Sequence, residues 1–210
     1  MTETDILARL EAGDAVILPT ETVYGLFAKA LDEEAVNRVY ELKQRPRDKA
    51  MNLNVSSFED VLAFSKEQPS YLKQLYEAFL PGPLTIILKA NSKVPFWINS
   101  ELETVGFRVP NHEKTLDLIK KTGVLIGPSA NLSGNESGKQ FAAIQAQFSA
   151  DLLGIEDDQA LTGVDSTILD LSGDKAKILR QGAIKREEII KAVPDIRFEE
   201  SDESSSSASL

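Results

Sequence analysis

The chain has 210 residues, 42% of them apolar and 27% charged, which is enough for one domain with a sizeable core. It has no apolar run of about 18 residues to span a membrane, and MTETDILARLEAGD lacks the basic start and apolar stretch of a secretory signal, so a cytoplasmic location is expected. The absence of cysteine excludes disulfides, thiolate catalysis and thiolate metal sites, and a net charge of −10 disfavours non-specific nucleic-acid binding. The single histidine, His112, cannot build a multi-histidine zinc centre, so any metal should be a hard cation held by oxygens and phosphate, as Mg²⁺ is.

Short β-branched runs alternate with amphipathic stretches along the chain, which predicts an α/β or α+β domain. Residues 4–12 read as a first helix, and AVIL (15–18) as a buried strand stopped by Pro19. Asp32 offers an N-cap, with Glu33 and Glu34 in the first turn and Val36, Val39 and Tyr40 on one face. Ser56 and Glu59 stand at capping-box spacing before an apolar stretch through Phe64, and a further helix over 70–79 ends at Pro-Gly-Pro (81–83). LTIIL (84–88) is the strongest strand signal, followed by TVGFRV (104–109). Asn111 then caps a helix with Leu116 and Ile119 inward, which Gly123 stops. VLIG (124–127), 166–171 and 176–180 complete the strands. Residues 1–194 are expected to form one domain, and 195–210 an acidic Ser-rich tail without fixed structure; without that tail the net charge is −6.

Several polar or glycine-bearing segments follow apolar strands, and in open α/β sheets ligands bind where strands end. KQRPRDK (43–49) sets four cations on a Pro-stiffened loop that would suit a triphosphate, or else complements a helix C-terminus. GPSANLSG (127–134) could let backbone N–H groups approach an anion, or be a plain turn; it is not a Walker A loop, because no Gly-Lys-Ser/Thr occurs in the chain. Arg108 lies between Phe107 and Val109 in an apolar strand and needs a partner, either an internal carboxylate or a ligand anion. Arg180 raises the same question. Thr20, Thr22, Ser166 and Thr167 each read singly as turn or cap hydroxyls. His112 reads as a surface residue and Trp97 as packing. No Ser-His-Asp or paired-carboxylate constellation stands out, so an enzyme built this way has no side-chain nucleophile and works by positioning and charge stabilisation.

Taken together, PTETVYGL, KQRP, PGPLTIIL, GFRVP, GPSANLSG, STILD and ILRQGAI occur in the order seen in the YrdC-like family, and over residues 4–191 the chain resembles its short, single-domain threonylcarbamoyl-AMP synthases. The resemblance implies a twisted mixed sheet flanked by helices around an open, basic cavity. It implies a nucleotidyltransferase that joins L-threonine, bicarbonate or CO₂, and ATP into threonylcarbamoyl-AMP and pyrophosphate, with Mg²⁺ held mainly through the triphosphate. Partner proteins would then carry the threonylcarbamoyl group to the tRNA adenosine beside the anticodon. By position, Thr22, Asn54, Arg108, Gly127 and Ser166 would hold threonine, with Arg108 at its carboxylate. Lys43, Arg45 and Lys49 would face the triphosphate, and Thr104, Ser129, Asn131, Ser137 and Arg180 would help to hold ATP.

The chain departs from the family pattern in KAMNLNV (49–55), where Ala50 replaces a proline and Asn54 stands where many members carry a histidine. An amide can hydrogen-bond a substrate there but cannot titrate near neutrality. Two alternatives remain at this stage. One is a non-catalytic RNA-binding or ribosome-assembly factor of the same fold, and the other a carbamoyl-adenylate-forming enzyme.

Overall fold

The computed structural model describes residues 1–148 and 151–200. Nine strands and eight α-helices alternate among the described residues. The sheet runs β1(Val16–Leu18)-β2(Gly25–Lys29)-β7(Leu125–Ile126)-β3(Leu53–Asn54)-β6(Thr104–Arg108)-β5(Leu84–Ala90)-β8(Thr167–Asp170)-β9(Lys177–Arg180), with β4(Ser65–Lys66) paired to β5. It is mixed: β3/β6 and β5/β8 are parallel and the other pairs antiparallel.

Residues directly opposite each other in a ladder share a face, so the register assigns every strand residue to one side. Leu84, Ile86 and Leu88 of β5 and Val105 and Phe107 of β6 point into the larger core, with α2(Glu33–Lys43), α4(Leu72–Phe79) and α8(Arg186–Ala192) packed on that side. Each large apolar side chain buried there stabilises by about 1.5–3 kcal/mol. The opposite face is only half covered. Over β1, β2 and β7, the helices α1(Glu3–Glu11) and α6(Glu113–Thr122) bury Ile6, Leu10, Leu118 and Ile119 against Val16, Leu18, Phe27 and Leu125. Beyond that cluster the same face carries Asn54 opposite Arg108, Ile87 opposite Gly106, Thr85 opposite Ile168, and Ile168 opposite Arg180. Alternation in LTIIL and GFRV thus sends Leu84, Ile86, Leu88, Phe107 and Val109 to the core and Thr85, Ile87 and Arg108 to this open stretch.

Several local expectations shift. Ser57, not Ser56, caps α3(Phe58–Phe64), its hydroxyl accepting from the Asp60 N–H. His112, not Asn111, is the N-cap of α6, and Leu116 is only half-buried while Thr115, Leu118 and Ile119 turn inward. The strand GLFAK (25–29) gave no alternating signal because it is buried on both faces. The chain also stays attached past residue 194: Ile196 is buried, and Ala176 exchanges backbone bonds with Arg197 and Glu199. The Ser-rich stretch from 201 on lies outside the described residues. Among those described, no helix is long and apolar enough to cross a membrane.

Candidate active-site chamber

The uncovered stretch of sheet forms the floor of a chamber of about 360 Å³, a size typical of small-molecule sites. It lies across the sheet face rather than beyond the strand ends. Its walls come from the loops after β1 (Thr20–Tyr24), before β3 (Ala50–Asn52), after β7 (Gly127–Ser129) and before β8 (Asp165, Ser166).

Arg108 stands on the floor, on β6. Its Nε donates to the Gly82 carbonyl at 2.9 Å and its Nη2 to Thr22 Oγ1 at 3.3 Å, while the same Nη2 forms an ion pair with Glu21. Glu21 reaches back to accept the Asn111 N–H at 2.5 Å, and so ties the loop after β1 to the end of β6. Burial pushes the Arg108 guanidinium down from its ordinary value, the Glu21 carboxylate raises it, and neighbouring Arg180 adds to the lowering. The Thr20 hydroxyl caps the turn beneath: it donates to Val23 O at 2.6 Å and accepts the N–H groups of Thr22 and Val23. Asn54 is buried beside Arg108 in the ladder and lines the chamber.

Arg180 stands on β9, three strands from Arg108 across the sheet and near enough for the two charges to act on each other. Its Nε and Nη2 donate to the Ser166 carbonyl at 3.0 and 2.9 Å, and Nη2 also reaches Ser166 Oγ at 3.1 Å. The Ser166 hydroxyl in turn shares a hydrogen bond with Thr85 Oγ1 at 3.0 Å. Gly182 makes this docking possible. A Cβ there would come within 2.3–2.5 Å of the Asp165–Thr167 backbone, whereas its N–H donates to Thr167 Oγ1. On the far wall, Cβ atoms at Gly25 and Gly127 would meet the Phe27 ring at 2.4 and 2.5 Å, so the ring is clasped between two bare stretches of backbone.

Of the residues the sequence assigned to ligands, Thr22, Arg45, Asn54, Arg108, Gly127, Ser129, Ser137, Ser166 and Arg180 line this one chamber. Lys43, Lys49, Thr104 and Asn131 do not. Lys43 turns inward, its ammonium donating to the Ser129 and Asn131 carbonyls, and burial, with Arg45 adding to it, pushes its pKa down to about 8. The Asn131 side-chain amide N–H groups donate to the Leu132 and Asn135 carbonyls, while its Oδ1 is buried without a partner. Thr104 shares the chamber face but stands opposite Lys89 at the far end of β6, about 13 Å along the strand from Arg108. Lys49 is exposed on its loop. Arg45 bends back over Ala50, whose carbonyl accepts from Nη2 at 2.8 Å, and Arg47 leaves the chamber to cover the Tyr40 ring.

The residues that went unnoticed in the sequence are mainly supports. Glu21 is the sole acid in PTETVYG, and an arginine inside an apolar strand was the signal that some carboxylate was needed. His112 is a correction: its side chain is 9% exposed, not on the surface, and its Nε2 shares a 2.8 Å hydrogen bond with Asp157. The Asp157 N–H donates to the Tyr24 hydroxyl, which donates to Asp158, and burial together with that bond raises the Tyr24 pKa. Trp97 packs as expected and donates to the Ala30 carbonyl.

The Sua5/YciO/YrdC family model, described as telomere recombination, matches residues 8–182. A threonylcarbamoyl-AMP synthase of Pyrococcus abyssi is 40% identical over 191 residues, which are 90% of this chain and 56% of that protein. One of Bacillus subtilis is 37% identical over 186 residues, 87% of this chain and 54% of the relative. The structure of P. abyssi Sua5 complexed with L-threonine superposes with a TM-score of 0.87 at 38% identity, covering 94% of this chain and 58% of the other. The chain therefore spans little more than half the length of these relatives. With the family match over most of its length and the fold in common, this chain belongs to the Sua5/YciO/YrdC family.

Proposed function

We propose that the chamber condenses L-threonine, bicarbonate or CO₂, and ATP into threonylcarbamoyl-AMP and pyrophosphate, which makes the protein a nucleotidyltransferase. The observation that carries this reading is the pair of guanidinium groups, Arg108 and Arg180, lining one chamber together with hydroxyl and amide side chains. It gains support from the likeness to a protein solved with L-threonine and to curated threonylcarbamoyl-AMP synthases.

Arg108, held by Glu21, Thr22 and Gly82, receives the amino-acid carboxylate, with Asn54, Gly127 and Ser166 completing that half of the pocket. The threonine amine captures CO₂, and the resulting carbamate oxygen attacks the α-phosphate as pyrophosphate leaves. Arg45, Ser129, Ser137 and Arg180 hold the nucleotide. The chain contributes no side-chain nucleophile, only alignment and charge stabilisation in a partly dry chamber. Among the described residues no cluster of three metal-binding side chains occurs, and Asp165 is the one carboxylate lining the chamber besides the committed Glu21 nearby. These residues fit an Mg²⁺ ion brought in on phosphate oxygens, where it would neutralise the triphosphate. The product would pass in the cytoplasm to proteins that transfer the threonylcarbamoyl group to tRNA.

The test is to incubate the pure protein with ATP, threonine, bicarbonate and Mg²⁺ and measure pyrophosphate. Threonine-dependent release is expected. A folded, nucleotide-binding sample that releases none would turn the reading towards a non-catalytic RNA-binding role.

A further inference from the structure

Among the described residues, Lys43 is the only lysine, arginine, aspartate or glutamate that is fully buried, at 1% exposure. It is the last residue of α2. Gln44 after it adopts a left-handed conformation (φ 51°) that ends the helix and turns the chain away into the exposed loop, while the Lys43 stem stays inside. Three contacts then join Lys43 to alternate residues of the segment after β7. Its Nζ donates to the Ser129 carbonyl and, at 2.6 Å, to the Asn131 carbonyl, and its own carbonyl accepts the Ser133 N–H at 2.8 Å. The residues on either side of Ser129 are held from the other direction: Leu26 N–H donates to the Pro128 carbonyl and Ala130 N–H to the Tyr24 carbonyl. The segment is thus clamped between the edge of β2 and the end of α2. Ser129 stands on the chamber wall, and Lys43 does not line the chamber.

We propose that Lys43 is a positioning residue, acting on the nucleotide through the shape of the 129–133 segment and not as a ligand of the triphosphate. The inference rests on the reading that this chamber binds ATP. A phosphate ligand must offer a charge to the chamber. A clamp on two carbonyls needs only two N–H donors in a fixed place, and the Lys43 side chain supplies them to the half-buried Ser129 carbonyl and the buried Asn131 carbonyl. Arg45, two residues on, lines the chamber and carries the charge that faces the triphosphate.

The experiment compares K43M, K43R and R45A by amide hydrogen exchange without ligands and by the affinities for ATP and AMP. K43M keeps the apolar stem and removes the donors. It should speed exchange at 129–135 about tenfold, leave β5 and β6 at wild-type rates, and weaken ATP and AMP by the same factor. K43R, with donors enough for both carbonyls, should restore both readouts to within about threefold of wild type. R45A should weaken ATP far more than AMP without changing exchange at 129–135. The proposal is overturned if K43M exchanges at wild-type rates across 129–135 while losing affinity for ATP alone. Should K43M not fold, K43R decides: wild-type exchange with a loss confined to ATP would make Lys43 a triphosphate ligand. Because exchange is read without substrate, a chamber that binds no nucleotide would sink the proposed function and still leave the clamp to be judged.

Discussion

Arg108 and Arg180 line the same chamber, yet they are built in opposite ways. Arg108 is 13% exposed and paired with Glu21, itself 17% exposed, so its charge is compensated before any ligand arrives. Arg180 sits on an exposed strand end. Its hydrogen bonds go to the carbonyl and hydroxyl of Ser166, and it has no carboxylate partner among the described residues. A desolvated guanidinium needs an internal anion to remain charged, and the same anion fixes its direction. A solvated one keeps its charge for whatever enters. Arg108 is therefore suited to orienting a small carboxylate, and Arg180 to attracting a highly charged anion.

The sharpest way to break this contrast is Arg108→Ala, which also leaves the half-buried Glu21 without its cationic partner. It should weaken threonine use by about 2–5 kcal/mol while ATP affinity stays near wild type. Threonine-dependent pyrophosphate release and nucleotide titration read the two separately, and an equal loss of both would erase the distinction. Lys43 extends the comparison to a cation buried with no carboxylate at all. Its pKa is about 8 in the folded protein and 10.5 in the unfolded chain, owing to burial first and to Arg45 second. Between those values the unfolded chain binds the extra proton, so stability rises with pH from about 8 to 10.5, and below 8 the full penalty of the buried charge is felt. The rise is on the order of 3 kcal/mol. Denaturant melts of wild type and K43M across that range should show it only in wild type. The subtraction matters because Tyr24, Tyr71 and Tyr76, whose pKa values are raised by burial, act in the other direction above pH 10. Arg180→Ala should have the smallest effect. ATP affinity should fall about tenfold, with a deficit that shrinks in high salt, and stability should change by no more than about 0.5 kcal/mol.

How far the sequence disclosed all this varies with the distance over which a residue finds its partner. LTIIL and GFRV announced their strands through period-two alternation, and the same alternation put Arg108 on the open face. The polar segments were legible as a group because loops around a site carry small hydroxyl, amide and cationic residues whatever the fold. The partners of those residues were not legible. Glu21 and Arg108 are 87 positions apart, joined when β1 and β6 come together, and Lys43 and Asn131 are 88 apart, joined when α2 packs beside the end of β7. In KQRPRDK the four cations look alike on paper, but the left-handed turn at Gln44 sends them different ways: Lys43 inward, Arg45 to the chamber, Arg47 onto Tyr40. A buried histidine such as His112 is equally silent, since its Asp157 partner lies 45 residues on.

The Phe27 ring clasped between Gly25 and Gly127 leaves that wall with no rotamers to change. Any attempt to retune which amino acid or nucleotide is accepted must begin elsewhere, because even a methyl group added there would collide with a ring that cannot retreat. Asn52 and Ser137 line the chamber with side chains that are not buried, and altered selectivity should be sought at those positions first.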